Sequence, residues 1–268
     1  MSIADRLRTG LVLLVLVLVT PPLMLLQRLA IRFGWRLAHT LPMAFHRLFC
    51  RLLRLRIVVE GRPSRDRPLL VLANHTSWLD IAVVSTLAPL SFIAKQEVST
   101  WPVFGTLARL QRSIFIDRTR RKGAAEANRE IAERLAAGDA IVLFAEGTTS
   151  DGNRVLPFRS AVVGAARDAI AEAGHSGHVV VQTLTIAYPR RGGLPVHRQD
   201  RPDIAWHGDM DLVPHFAGII SGPPIDAAVA WGECVAFDTA SDRKAVTRRA
   251  QDDIRRTYAR LVSGRDRD

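Results

Sequence analysis

Short apolar segments alternate with segments of helical periodicity along most of this 268-residue chain. The pattern predicts strands at residues 57–60, 69–73, 92–94, 113–116, 140–145 and 179–187. It predicts helices between them at residues 78–87, 101–110, 124–137 and 160–173, then a last strand at 228–237 and a basic helix at 242–261. Alternation at this spacing indicates an α/β fold, a mixed sheet covered by helices on both faces.

An uncharged apolar run of seventeen residues, from Gly10 to Leu26, lies near the N-terminus. It has the minimum length of a membrane-spanning helix, and Pro21 and Pro22 are expected to interrupt it. No small-residue cleavage site follows, which favours a retained membrane anchor over a cleaved signal peptide or a buried core helix. Arginines flank the run on both sides, so their distribution does not indicate which end of the helix faces the cytoplasm. The helix could span the membrane or enter one leaflet only.

The stretch from residue 28 to residue 67 contains ten arginines and only two acidic residues. Apolar residues recur three or four apart from Leu29 to Leu52, which predicts an amphipathic helix with a basic face that Pro42 bends or divides. Such a helix suits the surface of a membrane with anionic lipids, or docking on the rest of the chain. Residues 1–56 are therefore expected to form a membrane anchor with a basic amphipathic helix.

The charge balance points to an anionic partner, since 37 Lys and Arg residues against 26 Asp and Glu give a net charge of +11. Nucleic acid is not the expected partner, because the chain has only two tyrosines and no pattern of a nucleic-acid-binding motif. The cysteines, Cys50 and Cys234, form no CxxC pair, so no structural metal site is expected.

The candidate catalytic motif is NHTSWLD at residues 74–80, where a predicted strand meets a predicted helix. His75 would leave the strand end and Asp80 would lie on the first helical turn. Asp80 could then accept a hydrogen bond from one imidazole nitrogen and leave the other nitrogen free as a base. Ser77 and Asp80 also have the spacing of a capping box, in which Asp80 would only cap the helix.

Two further predicted strands end in polar residues. Asp117 and Arg118 follow one strand, and EGTTS at residues 146–150 follows another, with Arg154 and Arg159 beyond it. A base, cations and hydroxyl groups at three strand ends suit an anionic substrate that carries a hydroxyl group. Taken singly, Arg118 and Glu146 fit a structural ion pair equally well.

These motifs, in the order NHTSWLD, FIDR and FAEGTTS, resemble those of the lysophospholipid acyltransferase family, which includes bacterial 1-acyl-sn-glycerol-3-phosphate acyltransferases. The similarity extends from Leu69 to Tyr188 and implies an acyltransferase domain over residues 57–268 with the glycerolipid acyltransferase fold. It implies that His75 and Asp80 are the catalytic dyad. The substrate-binding residues that it implies are Asn74, Arg118, Glu146, Gly147, Thr148, Thr149 and Ser150.

Two positions depart from the family pattern. Thr149 stands where the family usually has an arginine associated with the acceptor phosphate, and Thr183 stands where it usually has a proline. The longer string from residue 146 to residue 166 resembles a branch that includes the acyltransferases of ornithine-lipid synthesis, whose acceptor has no phosphate. Arg154 or Arg159 could instead supply the missing cation.

The resemblance implies acyl transfer from an acyl-carrier-protein or coenzyme A thioester to the free hydroxyl of a lysolipid. The expected acceptor is 1-acyl-sn-glycerol-3-phosphate, with lyso-ornithine lipid as the alternative. His75 would act as general base without an acyl-enzyme, and no cofactor or metal is expected. The expected location is the inner membrane, with the catalytic domain facing the cytoplasm. A lipid-binding pseudo-enzyme without catalysis is the alternative from another class.

Overall fold

The computed structural model describes residues 3–117, 121–160, 163, 179–237 and 241–264. Within these ranges, one mixed sheet has the strand order β1-β8-β6-β2-β5-β3-β4, and β7 pairs with the end of β6. The strands are β1 (Leu55–Glu60), β2 (Leu69–Ala73), β3 (Ser91–Lys95), β4 (Ile114–Ile116), β5 (Ala140–Phe144), β6 (Val179–Arg191), β7 (Leu194–Pro195) and β8 (Ile225–Phe237).

Helices cover both faces of the sheet. They are α1 (Ile3–Arg32), α2 (Leu37–Leu52), α3 (Leu79–Ser85), α4 (Phe104–Leu110), α5 (Arg121–Ala136), α6 (Leu212–Ser221) and α7 (Arg243–Ser263). Successive residues of β2 point to opposite faces, so Leu69 and Val71 pack towards α2, α3 and α6, whereas Leu70 and Leu72 pack towards α5 and α7. The predicted fold class is confirmed; the helix predicted at residues 160–173 lies almost wholly outside the described residues.

The parallel part of the sheet brings the candidate motifs to one edge. Strands β6, β2, β5, β3 and β4 run parallel, and Ala73 at the end of β2 pairs with Phe144 at the end of β5. Every residue of β2 and β5 is buried, as expected of strands covered on both faces. The residues that follow these two strands, including His75 and Glu146, therefore emerge side by side.

The N-terminal helices differ from the prediction in where the chain breaks. Helix α1 continues through Pro21 and Pro22, so the predicted interruption is wrong. The carbonyl groups that lose an intrahelical partner there belong to Val17 and Leu18, which are exposed, so no packed neighbour is displaced. The chain divides at Gly34, which has φ +65°, and Pro42 lies inside the continuous helix α2.

Helix α1 is attached to the domain near both of its ends. The Arg8 guanidinium donates to the carbonyl groups of Ile220 and Gly222 at the end of α6. The Gln27 side chain donates to the carbonyl of Leu110 at the end of α4, at 2.9 Å. These two attachments are separated by about 28 Å of helix. The apolar stretch between them is long enough to cross a membrane, and only 6% of it is buried, so α1 presents a long apolar surface along the domain.

A close contact joins α7 to the sheet at an irregular point of β6. The β6–β8 register shifts between Gln182 and Leu184, and the Thr183 hydroxyl donates to the Asp253 carboxylate at 2.5 Å. A Cβ atom at Gly232 would lie 1.9 Å from the Thr183 Oγ1 atom and 2.7 Å from Asp253. Only glycine at position 232 leaves room for this hydrogen bond.

We expect Gly232→Ala to lower the free energy of unfolding by about 2–3 kcal/mol, because the new methyl group has to displace Thr183 or α7. Urea unfolding in detergent micelles, followed by circular dichroism, measures the effect. Gly218→Ala is the matched control, since a Cβ atom there meets open space on α6. Equal stability of the two variants would show that the β6–α7 contact is not tight.

Candidate active site

The Asp80 carboxylate is fully buried and accepts four hydrogen bonds. Its Oδ2 atom accepts from the His75 Nδ1 atom at 2.8 Å, from the Thr76 N–H at 2.7 Å and from the Ser77 N–H at 3.0 Å. Its Oδ1 atom accepts from the Tyr188 hydroxyl at 2.6 Å. A buried charge is costly unless donors surround it, and these four donors satisfy both carboxylate oxygens.

The two interpretations of Asp80 drawn from the sequence meet in this one side chain. The carboxylate reaches back to the N–H groups that precede α3, as a capping group does, and it also binds the imidazole. The Ser77 hydroxyl, which a capping box would use, is buried and makes no hydrogen bond to any residue that the structure describes. Asp80 therefore orders the strand-to-helix turn and fixes His75 in the same act.

The orientation of His75 follows from its two neighbours. A carboxylate only accepts hydrogen bonds, so the Nδ1 atom that faces Asp80 carries a hydrogen, and in the neutral ring the Nε2 atom has the free lone pair. The ring stacks on Phe144, with centroids 3.9 Å apart and an angle of 11° between the planes. The His75 side chain is 17% exposed, and Nε2 makes no hydrogen bond to any described residue. The ring orientation is thus fixed by Asp80 and Phe144, and the Nε2 atom remains available to a substrate.

Asn74 fixes the end of the strand that carries His75. Its side-chain amide donates to the carbonyl of Ile186 at 2.8 Å, and its side-chain oxygen accepts from the N–H of Ile186 at 2.8 Å. Asn74 is buried, and this pair of bonds continues the β2–β6 ladder beyond the last paired residues. The side chain thus has a structural task, and its proposed substrate contact stays a prediction.

Glu146 holds the backbone of the dyad from the neighbouring strand. Its two oxygens accept from the N–H groups of His75, at 2.7 Å, and Leu156, at 2.8 Å, and the residue is 2% exposed. Burial raises the pKa of the Glu146 carboxyl to about 8; the charge of Asp80 adds to the rise, while the two N–H donors and Arg255 oppose it. Glu146 thereby ties the His75 turn to the loop that follows β5.

The turn after β5 lies against the dyad. Gly147 adopts φ +70°, and the N–H of the buried Ser150 donates to the carbonyl of His75 at 2.8 Å. Thr148 is exposed and Thr149 is half-buried, and neither hydroxyl makes a hydrogen bond to a described residue. The structure therefore brings Gly147, Thr148, Thr149 and Ser150 beside His75, with the two threonines on the open side.

The predicted arginines are less closely placed. Arg154 and Arg159 are exposed on the loop that follows this turn. Arg118 lies outside the described residues, and β4, the strand that precedes it, is separated from β2 by β5 and β3. Neither Arg154 nor Arg159 makes a hydrogen bond or an ion pair with His75 or Asp80.

The site also contains a second loop and a tyrosine that lie outside the three sequence motifs. The N–H of Trp206 donates to the carbonyl of Thr76 at 2.9 Å, which sets residues 201–210 beside the dyad turn. A Cβ atom at Gly152 would lie 3.3 Å from Thr76 and 3.4 Å from the half-buried Arg201, so two loops meet over this turn. The polar and aromatic run 206–211 was the only signal for the loop, and Tyr188 gave none beyond its position at a strand end.

Comparisons with known proteins show the family to which the chain belongs. The acyltransferase family model matches residues 56–187. The chain is 48% identical over 238 residues to a lyso-ornithine lipid O-acyltransferase of Brucella abortus, covering 89% of this chain and 88% of that protein. It is 42% identical over 254 residues to a protein of the same name from Rhizobium meliloti, covering 95% and 87%.

More distant matches extend the picture. The chain is 35% identical over 202 residues to a 1-acyl-sn-glycerol-3-phosphate acyltransferase of Neisseria gonorrhoeae, covering 74% and 73%. The crystal structure of the 1-acyl-sn-glycerophosphate acyltransferase PlsC from Thermotoga maritima aligns with a TM-score of 0.63 at 21% identity, covering 96% and 95%, which shows a shared fold. The chain belongs to the acyltransferase family. It is an O-acyltransferase, and the resemblance drawn from the three motifs is confirmed.

We expect Glu146→Gln to lower kcat by up to about 100-fold with little change in the acceptor KM, because one amide N–H would face a backbone donor and shift the His75 turn. Steady-state kinetics over a range of acceptor concentrations measures both constants. A raised KM with an unchanged kcat would show instead that Glu146 contacts the substrate.

The same variant has an expected effect on stability. The raised pKa of Glu146 means that the folded protein binds this proton more tightly than the unfolded chain, so the free energy of unfolding falls as the pH rises from about 4.5 to about 8. In Glu146→Gln the contribution of Glu146 to this decrease in the free energy of unfolding should be absent, which urea unfolding at several pH values measures. Glu233→Gln is the control: Glu233 is exposed, with its Oε2 atom 3.6 Å from the Arg249 guanidinium, and its substitution should leave the decrease in the free energy of unfolding unchanged.

Proposed function

We propose that this O-acyltransferase transfers a fatty acyl group from a thioester to the free hydroxyl of lyso-ornithine lipid. The observation that carries the proposal is the dyad geometry, in which Asp80 holds His75 with its Nε2 atom open beside the β5 turn. A neutral imidazole fixed in one tautomer is the arrangement that a general base for a hydroxyl group requires.

In the proposed step, His75 Nε2 takes the proton of the acceptor hydroxyl as its oxygen attacks the thioester carbonyl carbon. The buried Asp80 stabilises the imidazolium that forms. The C–S bond then breaks, the ester is complete, and the leaving thiolate takes the proton from His75. No acyl-enzyme is needed: Cys50 is buried, and burial raises the pKa of its thiol to about 12, which leaves it a poor nucleophile.

The oxyanion that develops on the carbonyl needs donors other than those of the dyad turn. The N–H groups of Thr76 and Ser77 are already bonded to Asp80. In the part of the chain that the structure describes, the N–H groups of Thr148 and Thr149 make no hydrogen bond. We therefore place the thioester carbonyl at this turn, where backbone donors are free.

The choice of acceptor rests on Thr149 and on the relatives. Thr149 is a neutral residue on the open side of the site, at the place where the family pattern has an arginine associated with phosphate. The relatives at 48% and 42% identity are named for lyso-ornithine lipid. The phosphate-bearing 1-acyl-sn-glycerol-3-phosphate is the second candidate, because the Neisseria relative is named for it and Arg154, Arg159 and Arg201 could supply a cation.

The net charge supports the proposed acyl donor, and helix α1 supports the proposed location. Acyl carrier protein and coenzyme A are both acidic, and the net charge of +11 would attract either of them to the enzyme. The proposed reaction uses no resident cofactor or metal. Because α1 is tied to the domain near both ends, we propose that its apolar side enters one leaflet of the inner membrane from the cytoplasm. Exposed arginines would meet anionic headgroups there, namely Arg28, Arg32, Arg36 and Arg51.

The test offers purified protein in mixed micelles an acyl-carrier-protein thioester with lyso-ornithine lipid or 1-acyl-sn-glycerol-3-phosphate. We expect acylation of lyso-ornithine lipid, with kcat/KM at least about tenfold lower for the phosphate acceptor because a charge-assisted bond is missing. Thr149→Arg should narrow that difference. Preference for the phosphate acceptor would overturn the choice of acceptor.

Two histidine variants test whether the dyad carries the activity. His75→Ala should lose turnover while vesicle flotation shows unchanged membrane association, because α1 is untouched. His197→Ala, at an exposed histidine, should retain the activity. Near-normal turnover by His75→Ala would refute the dyad. Turnover of neither acceptor by the unaltered protein would refute the proposed function and favour a lipid-binding pseudo-enzyme.

A further inference from the structure

Tyr188 supplies the donor on the second oxygen of the dyad carboxylate. It lies towards the carboxyl end of β6, is buried, and its hydroxyl is 2.6 Å from the Asp80 Oδ1 atom. The other three donors bind Oδ2, and Oδ1 has no further donor in the described part of the chain. The Tyr188 hydroxyl is therefore the donor on which the hydrogen bonding of the buried Asp80 Oδ1 atom depends.

The sheet register places this hydroxyl. Asn74 grips both backbone groups of Ile186 on β6, two residues before Tyr188. This grip continues the β2–β6 pairing, in which Ala73 is opposite Leu184. The motif that contains the dyad thus also fixes the register of β6 against β2, and this register determines which side chain of β6 can reach Asp80.

Removing the hydroxyl would leave a buried carboxylate oxygen without a donor. Such an oxygen keeps its full cost of desolvation, and the carboxylate then holds its charge with only the Oδ2 donors to offset it. It would attract a proton onto the dyad more strongly, whether that proton sits on His75 or on Asp80 itself. The free base would then exist only at higher pH.

We propose that Tyr188 is a positioning residue of the acyl transfer: its hydroxyl holds Asp80 in place, and Asp80 in turn holds the His75 ring in the orientation that a general base needs. The inference rests on the proposed role of His75 as general base. Tyr188 touches no reacting atom in this account, since it acts on His75 through Asp80.

The surroundings keep Tyr188 a donor throughout the working pH range. Burial and the adjacent Asp80 raise the pKa of Tyr188 well above its ordinary value, so the hydroxyl keeps its hydrogen. Among the described residues, the other titratable or charged groups that act on this assembly include Cys50 from α2, Glu146 from the end of β5, Arg255 and Tyr258 from α7, and Asp151 and Arg201 from the two loops beside the turn. Because Glu146 titrates near pH 8, the pH profile has to be compared between variants that share Glu146.

The first test is Tyr188→Phe, assayed for kcat/KM between pH 5 and pH 9. The acid limb of the profile should move up by about one pH unit, with a loss of about tenfold below the limb and recovery at high pH. Thr183→Val is the matched control, because it removes another hydroxyl-to-carboxylate hydrogen bond from the same strand. It should lower stability without moving the limb. An unmoved limb in folded Tyr188→Phe, or an equal shift in Thr183→Val, would overturn the proposal.

A second measurement needs neither turnover nor a cavity-forming variant. The chain has only two tyrosines, so in Tyr258→Phe protein every 3-fluorotyrosine incorporated lies at position 188. Fluorination makes the hydroxyl a stronger donor, and the pH midpoint of the His75 ring signal, followed by NMR and assigned with His75→Ala, should move down. A midpoint that stays in place or moves up would refute the role of Tyr188, even if neither lysolipid proves to be a substrate.

Discussion

The burial of the Asp80 charge is the constraint on which the site depends. A carboxylate without solvent has to be surrounded by donors, and here the donors come from the turn after β2 and from the far strand β6. Each donor bond also fixes something else: the ring of His75, the start of α3, or the position of β6 against β2. The cost of burying one charge is thus offset by contacts that assemble the catalytic geometry.

A second buried acid completes the arrangement from the other side. Glu146 holds the His75 backbone and the loop after β5, as Asp80 holds the His75 ring. Both acids lie at the carboxyl edge of adjacent parallel strands, which is where open α/β sheets place their ligands. The polar atoms that stay open at this edge, His75 Nε2 and the threonines of the β5 turn, are those that acyl transfer to a hydroxyl group would use.

The predictable parts of the fold and the site are those set by local patterns. Strand β2 was predicted with the bounds that the structure shows, because five consecutive apolar residues between Pro68 and Asn74 indicate a short buried strand. His75 and Asp80 were predicted to meet because five residues across a strand-to-helix turn bring them together. Strands and helices could thus be predicted wherever burial produces a clear pattern of apolar residues along the sequence.

The rest depended on contacts that no local pattern encodes. Tyr188 meets Asp80 from 108 residues away through sheet pairing, and the loop at Trp206 reaches Thr76 in the same manner. The interruption predicted at Pro21 and Pro22 was wrong, since Val17 and Leu18, one turn before the prolines, are exposed and no packed neighbour is displaced. Asn74 and Glu146 were predicted as substrate ligands from the motif, whereas in the structure their side chains bind backbone groups.

The most direct test of a base held by a buried carboxylate is the turnover of Asp80→Asn. An amide at position 80 can no longer offer two accepting oxygens, so His75 loses its fixed tautomer, and kcat should fall by about 10³–10⁴-fold with little change in KM. Asp253→Asn, which alters another carboxylate that accepts from a hydroxyl group, should keep kcat within a few-fold of the unaltered protein. Folded Asp80→Asn protein with nearly unaltered kcat would contradict the account.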